Sequence, residues 1–112
     1  MTTINIKKNA KNEIISFCAE GHTNYGVEGE DIVCAAASSI IQTAALGILM
    51  VAEVEAKITR DDKKAKFTLE LPQIMSPQQA RDCATILKTM VVGLTDLQES
   101  YSDFIELQMI DK

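Results

Sequence analysis

The chain has 112 residues, 46% of them hydrophobic and 24% charged, with a net charge of −5; this is the balance of one globular domain over residues 1–112 rather than of a disordered or fibrous chain. Its densest basic stretch is Lys63, Lys64 and Lys66, too short to release counterions from a phosphate backbone, so a direct nucleic-acid partner is not expected. Three cysteines without a CxxC pair, and an N-terminus without a charged-then-apolar leader pattern, fit free thiols in a reducing cytoplasm and give no zinc-ribbon spacing.

Ile4 and Ile6 predict a short first strand. After the polar turn Lys8-Asn9-Ala10-Lys11-Asn12, a second run spans Glu13 to Glu20, with Ile15, Phe17 and Ala19 on one face and Ile14, Ser16 and Cys18 on the other. Residues 21–30 hold three glycines and no regular period, which predicts a mobile loop that orders when substrate binds. Asp31 then reads as the N-cap of a helix from Ile32 to about Leu49, apolar nearly all round and so expected at the centre of the fold. Ser38, Ser39, Gln42 and Thr43 interrupt its apolar run, which argues for a buried helix over a membrane span.

Alternation continues from Ala52. Ala52, Val54, Ala56 and Ile58 share one face, and Glu53, Glu55 and Lys57 the other. Beyond the turn Arg60-Asp61-Asp62-Lys63, residues Ala65, Phe67, Leu69 and Leu71 point in while Lys64, Lys66, Thr68 and Glu70 point out, a hairpin with one wet face. Ser76-Pro77 is a cap followed by proline at the first helical position, and opens a second helix with an apolar stripe through Ala80, Cys83, Ala84, Leu87, Met90, Val91, Leu94 and Leu97. A last strand is expected near Asp103 to Ile110. The order ββαββαβ predicts an α+β fold: a single antiparallel-rich sheet with two helices on one face.

Two residues carry chemistry. His22, the only histidine, follows the end of a predicted strand, and Cys34 lies twelve positions later in the first turn of a predicted helix. The partial positive charge of a helix start stabilises a thiolate. A nearby imidazole takes the thiol proton and later returns it to a leaving amine, and unpaired N–H groups at the helix start can receive an oxyanion. With Asp31 as N-cap, Cys34 occupies the third helical position. Asp31 either caps the helix or also orients His22; Ser38, one turn after Cys34, either bonds near the site or packs. Other readings remain open on spacing alone: a solvated loop histidine with a small core cysteine, a noncatalytic binding protein, or a thiol redox or metal-binding protein. Cys18 and Cys83 read as packing residues, and no cofactor is called for.

Gly21-His22, the glycine-bearing loop, and Asp31-Ile32-Val33-Cys34-Ala35-Ala36-Ala37-Ser38 together resemble the ribosomal-processing cysteine protease Prp family, over essentially the whole chain. The resemblance implies a cytoplasmic homodimeric thiol protease with no membrane association. It would remove the N-terminal extension of bacterial large-subunit ribosomal protein twenty-seven, after a hydrophobic stretch ending in aromatic residues. It implies His22 and Cys34 as the catalytic dyad; read from the loop and helix start around them, Gly21, Tyr25, Gly26, Val27, Gly29, Asp31, Ala35 and Ser38 are the candidates for site support or substrate binding. Because such a substrate is basic, Glu20, Glu28, Glu30 and Asp31 are expected to attract it electrostatically.

Overall fold

The computed structural model describes residues 1–21 and 30–111, apart from the side chains of Glu30 and Asp31. Strand β1 (Thr2–Lys8) pairs antiparallel with β2 (Ile14–Gly21), Ile4 opposite Ala19 and Ile6 opposite Phe17. Asparagines build the turn between them. The Asn9 side-chain oxygen accepts from the N–H groups of Lys11 and Glu13 at 3.0 Å each, and Asn12 adopts a left-handed φ of 64° that asparagine tolerates well.

Helix α1 (Glu30–Met50) leads to β3 (Lys57–Asp61), which forms a hairpin with β4 (Lys66–Glu70); α2 (Pro77–Ser100) and β5 (Ile105–Asp111) complete the chain. The sheet order is β3-β4-β2-β1-β5, antiparallel throughout except where β5 lies parallel to β1. Both helices and the apolar face of the sheet share one core. Ile4, Ile6, Phe17, Leu69 and Ile105 from the strands meet Val33, Ile41 and Ile48 from α1 and Leu87, Met90 and Leu94 from α2. Each such side chain contributes roughly 1.5–3 kcal/mol by leaving water. The opposite sheet face carries Asn5, Cys18, Thr59 and Thr68, the two threonine hydroxyls bonding each other across β3 and β4.

The helices run antiparallel and exchange isoleucines at glycines. Ile86 lies over Gly47, where a Cβ would stand 3.5 Å away, and Ile40 lies over Gly93, where one would stand 3.6 Å away. α1 is long and apolar enough to cross a membrane by composition, but Val33, Ala37, Ile41, Ala44, Ala45 and Ile48 fill the shared core. The cap of α2 forms as its sequence predicts: the Ser76 hydroxyl accepts from the Gln79 N–H at 3.1 Å and the Gln79 side chain accepts from the Ser76 N–H at 3.0 Å, with Pro77 opening the helix.

Two expectations are corrected. The first concerns residues 52–56, which are not strand. The N–H groups of Ala52 and Val54 donate to the α1 carbonyls of Gly47 and Ile48, and Glu53 has a left-handed φ of 55°. Ala52 and Val54 are buried as their alternation implies, yet their backbone closes the C-terminus of α1 instead of joining the sheet. The second concerns the start of α1. The described part of the helix already includes Glu30, so Asp31 lies inside the helix rather than capping it, and Cys34 lies beyond its first turn. Acidic residues are favourable in a first turn because the helix dipole is positive there, which suits Glu30 and Asp31 inside the helix as well as before it.

Candidate active site

β2 ends and α1 begins on the same side of the fold, and the two meet at Gly21 and Cys34. Gly21 is held to β4 through its N–H, which donates to the Ala65 carbonyl at 3.0 Å. A Cβ built on Gly21 would stand 3.3 Å from the Cys34 sulfur and 3.4 Å from the Thr2 hydroxyl oxygen. Only the absence of a side chain at 21 lets the strand backbone lie this close to the thiol.

Cys34 is half-buried and opens into a cleft of about 230 Å³. One wall is α1, through Cys34, Ala37, Ser38 and Ile41; the floor is Ala19 and Phe67; the far wall is the turn of the β3–β4 hairpin, including Arg60 and Asp62. The rings of Phe17 and Phe67 stack with centroids 6.2 Å apart, which anchors that floor to the core. Burial pushes the thiols of Cys18 and Cys83 above their ordinary value; for Cys18 nearby Lys66 partly offsets this. Those two sulfurs are therefore poorer nucleophiles at neutral pH, and neither lines the cleft.

Of the positions expected at the site, Gly21, Cys34 and Ser38 converge on the cleft. Ser38 accepts a hydrogen bond from the Gln42 side chain at 3.1 Å. Ala35 does not join them: it is exposed and lies outside the cleft lining, since one residue along a helix turns the side chain by about 100°. His22, Tyr25, Gly26, Val27, Glu28 and Gly29 lie outside the described residues, as do the side chains of Glu30 and Asp31. Glu20 does border the cleft. Ile41, Phe67, Arg60 and Asp62 were not anticipated. Their one sequence signal is the inward parity of Phe67 and Arg60 in the hairpin, which marks a face without saying what lies against it. Among the described residues no three His, Cys, Asp or Glu side chains are grouped to hold a metal ion.

The chain is similar to known proteins over nearly its whole length. The family model for cysteine protease Prp matches residues 1–106. The ribosomal processing cysteine protease Prp of Staphylococcus aureus is 32% identical over 108 residues, covering 96% of this chain and 97% of that one. Its counterpart in Bacillus subtilis is 24% identical over 103 residues, 92% of each chain. The crystal structure of an essential ribosomal processing protease Prp from S. aureus in complex with a substrate peptide matches with a TM-score of 0.86 at 27% identity, over 97% of this chain and 99% of that one. The same protease with a covalently linked product peptide matches with a TM-score of 0.81 at 28% identity, over the same shares of the two chains. A half-buried thiol opening into a cleft, in a chain matched this fully, defines a cysteine peptidase. Within that class the chain belongs to the cysteine protease Prp family.

Proposed function

We propose that this chain, acting as one protease domain over residues 1–112, is a cytoplasmic endopeptidase that removes the N-terminal extension of bacterial large-subunit ribosomal protein twenty-seven. Cys34 is the nucleophile and His22 the general base and acid. The observation that carries this reading is the contact at the end of β2. Gly21 lies against the Cys34 sulfur, and His22 is the next residue along the chain. A relative with a product peptide covalently attached supports a covalent route.

In this mechanism His22 accepts the Cys34 proton and the thiolate sulfur attacks the scissile carbonyl carbon. The tetrahedral intermediate collapses as His22 gives that proton to the departing amine. The thioester is then hydrolysed by a water that His22 deprotonates. Backbone N–H groups towards the start of α1 would receive the oxyanion.

A synthetic peptide spanning the extension and the first residues of the mature ribosomal protein, incubated with the enzyme and read by mass, tests the proposal. Cleavage at a single bond is expected. It should disappear with Cys34→Ala and fall by at least about a hundredfold with His22→Ala, since no second histidine can serve as base. Undiminished processing by Cys34→Ala would overturn Cys34 as the nucleophile, and no cleavage by the parent would leave a noncatalytic assembly role.

A further inference from the structure

Arg60 stands where the hairpin pattern calls for an apolar residue. In the register of β3 on β4, Ile58 lies opposite Leu69 and Arg60 opposite Phe67. Leu69 is fully buried, and Ile58 and Phe67 pack against the core, so Arg60 belongs to the helix-facing side of the sheet. An aliphatic residue there would extend the core. Arg60 instead borders the cleft that Cys34 opens into.

Its guanidinium is only partly occupied. Nε donates to the Asp62 carboxylate at 2.8 Å. A guanidinium has five N–H donors, and the four on the two Nη atoms have no acceptor among the described residues. The Asp62 contact is exposed, the two side chains being 63% and 82% accessible, so it biases one edge of the planar fork and leaves the other edge available for oxygen acceptors. The cleft between this fork and Cys34 is apolar at its floor, through Phe67 and Ile41, and at about 230 Å³ takes an extended segment rather than a folded surface. An extended peptide entering it brings main-chain carbonyls that lose water and need donors.

We propose that Arg60 is a substrate-binding residue: oriented by Asp62, its Nη groups donate to main-chain carbonyl oxygens of the bound peptide, one apolar side chain of which rests on Phe67 and Ile41. This rests on the reading of Cys34 as nucleophile of a peptide-cleaving site. The competing role is an inward-pointing charge that keeps the exposed edge strand β3 from pairing with another chain. That role needs the charge and not the fork, so lysine would satisfy it.

Steady-state kinetics on the extension peptide separate the two. Arg60→Gln is expected to raise KM about tenfold with kcat changed less than about twofold, the signature of lost uniform binding. Arg60→Lys should recover only part of that affinity, and Asp62→Asn should give a smaller rise in the same direction. Lys63→Gln, a charge change on the same turn whose residue does not line the cleft, should leave both constants unchanged. Equal KM for parent and Arg60→Gln, full function in Arg60→Lys, or an equal loss in Lys63→Gln would overturn the inference. Fluorescence anisotropy of the labelled peptide on Cys34→Ala, with and without Arg60→Gln, reads binding apart from chemistry. Failure of the parent to cleave would refute the proposed function, whereas equal affinity in this pair would refute the role of Arg60.

Discussion

Gly21 shows how little room the Cys34 thiol has. A methyl group there would meet the Cys34 sulfur at 3.3 Å and the Thr2 hydroxyl at 3.4 Å, tighter than ordinary packing, so the sulfur must shift by a few tenths of an ångström. Gly21→Ala should therefore lower kcat on the extension peptide by about tenfold, because catalysis is sensitive to sub-ångström placement, while the thermal midpoint moves little. An unchanged kcat would show that the sulfur has freedom the packing denies. The buried thiol of Cys83 makes a separate prediction. Burial raises its pKa, so the folded chain holds this proton at a pH where the unfolded chain has released it. The stabilisation is full below the ordinary thiol range and is lost as pH climbs through the raised value. Urea midpoints should fall more steeply above pH 9 for the parent than for Cys83→Ala, and parallel slopes would contradict this. At this scale Cys34 stood out because glycine, histidine and cysteine follow a fixed pattern along the chain, and the structure sets its sulfur in a cleft. Arg60 and Phe67 were not legible as site residues, because only the strand order brings them opposite α1.

At the level of elements, α2 follows directly from its residues. Ser76, Pro77 and Gln79 form a reciprocal cap, and the Gln79 amide also donates to the Glu53 carbonyl at 3.0 Å, tying the start of α2 to the segment after α1. Ser76→Ala should cost about 1 kcal/mol, read as a lower urea midpoint with the slope unchanged and cleavage retained. The run from Ala52 to Ala56 teaches the opposite lesson. Alternation reports which side chains are buried; it does not report what the backbone bonds to. There the nearest acceptors were the last carbonyls of α1, and a left-handed Glu53 broke the extended path. The start of α1 was displaced for a related reason. Glu30 and Asp31 suit either side of a helix boundary, and their inclusion in α1 carries Cys34 beyond the first turn.

At the scale of the molecule, α1 contributes to the core with one side and leaves the other bare. Ile32 is 74% exposed, Met50 73% and Leu46 56%. Residues 32 and 50 are five full turns apart and so lie on a single line along the helix, with Leu46 beside it. We propose that a second copy of the chain covers this stripe, in keeping with the homodimer that the family resemblance implies. Sedimentation of the parent should give a dimer, and Met50→Glu with Leu46→Glu should give a folded monomer. A parent that stays monomeric at micromolar concentration would remove the proposal.

The residues by themselves determined the element order, the inward faces of the strands, the cap of α2 and the family to which the chain belongs. All of these depend on neighbours a few positions apart, or on a motif read along the chain. The tertiary structure alone decided that β5 lies parallel to β1 at the far edge of the sheet, that Gly21 meets the Cys34 sulfur, and that the β3–β4 turn closes the cleft with Arg60. Those are contacts between segments remote in sequence, selected by which apolar faces can be buried together, and no local periodicity encodes that choice.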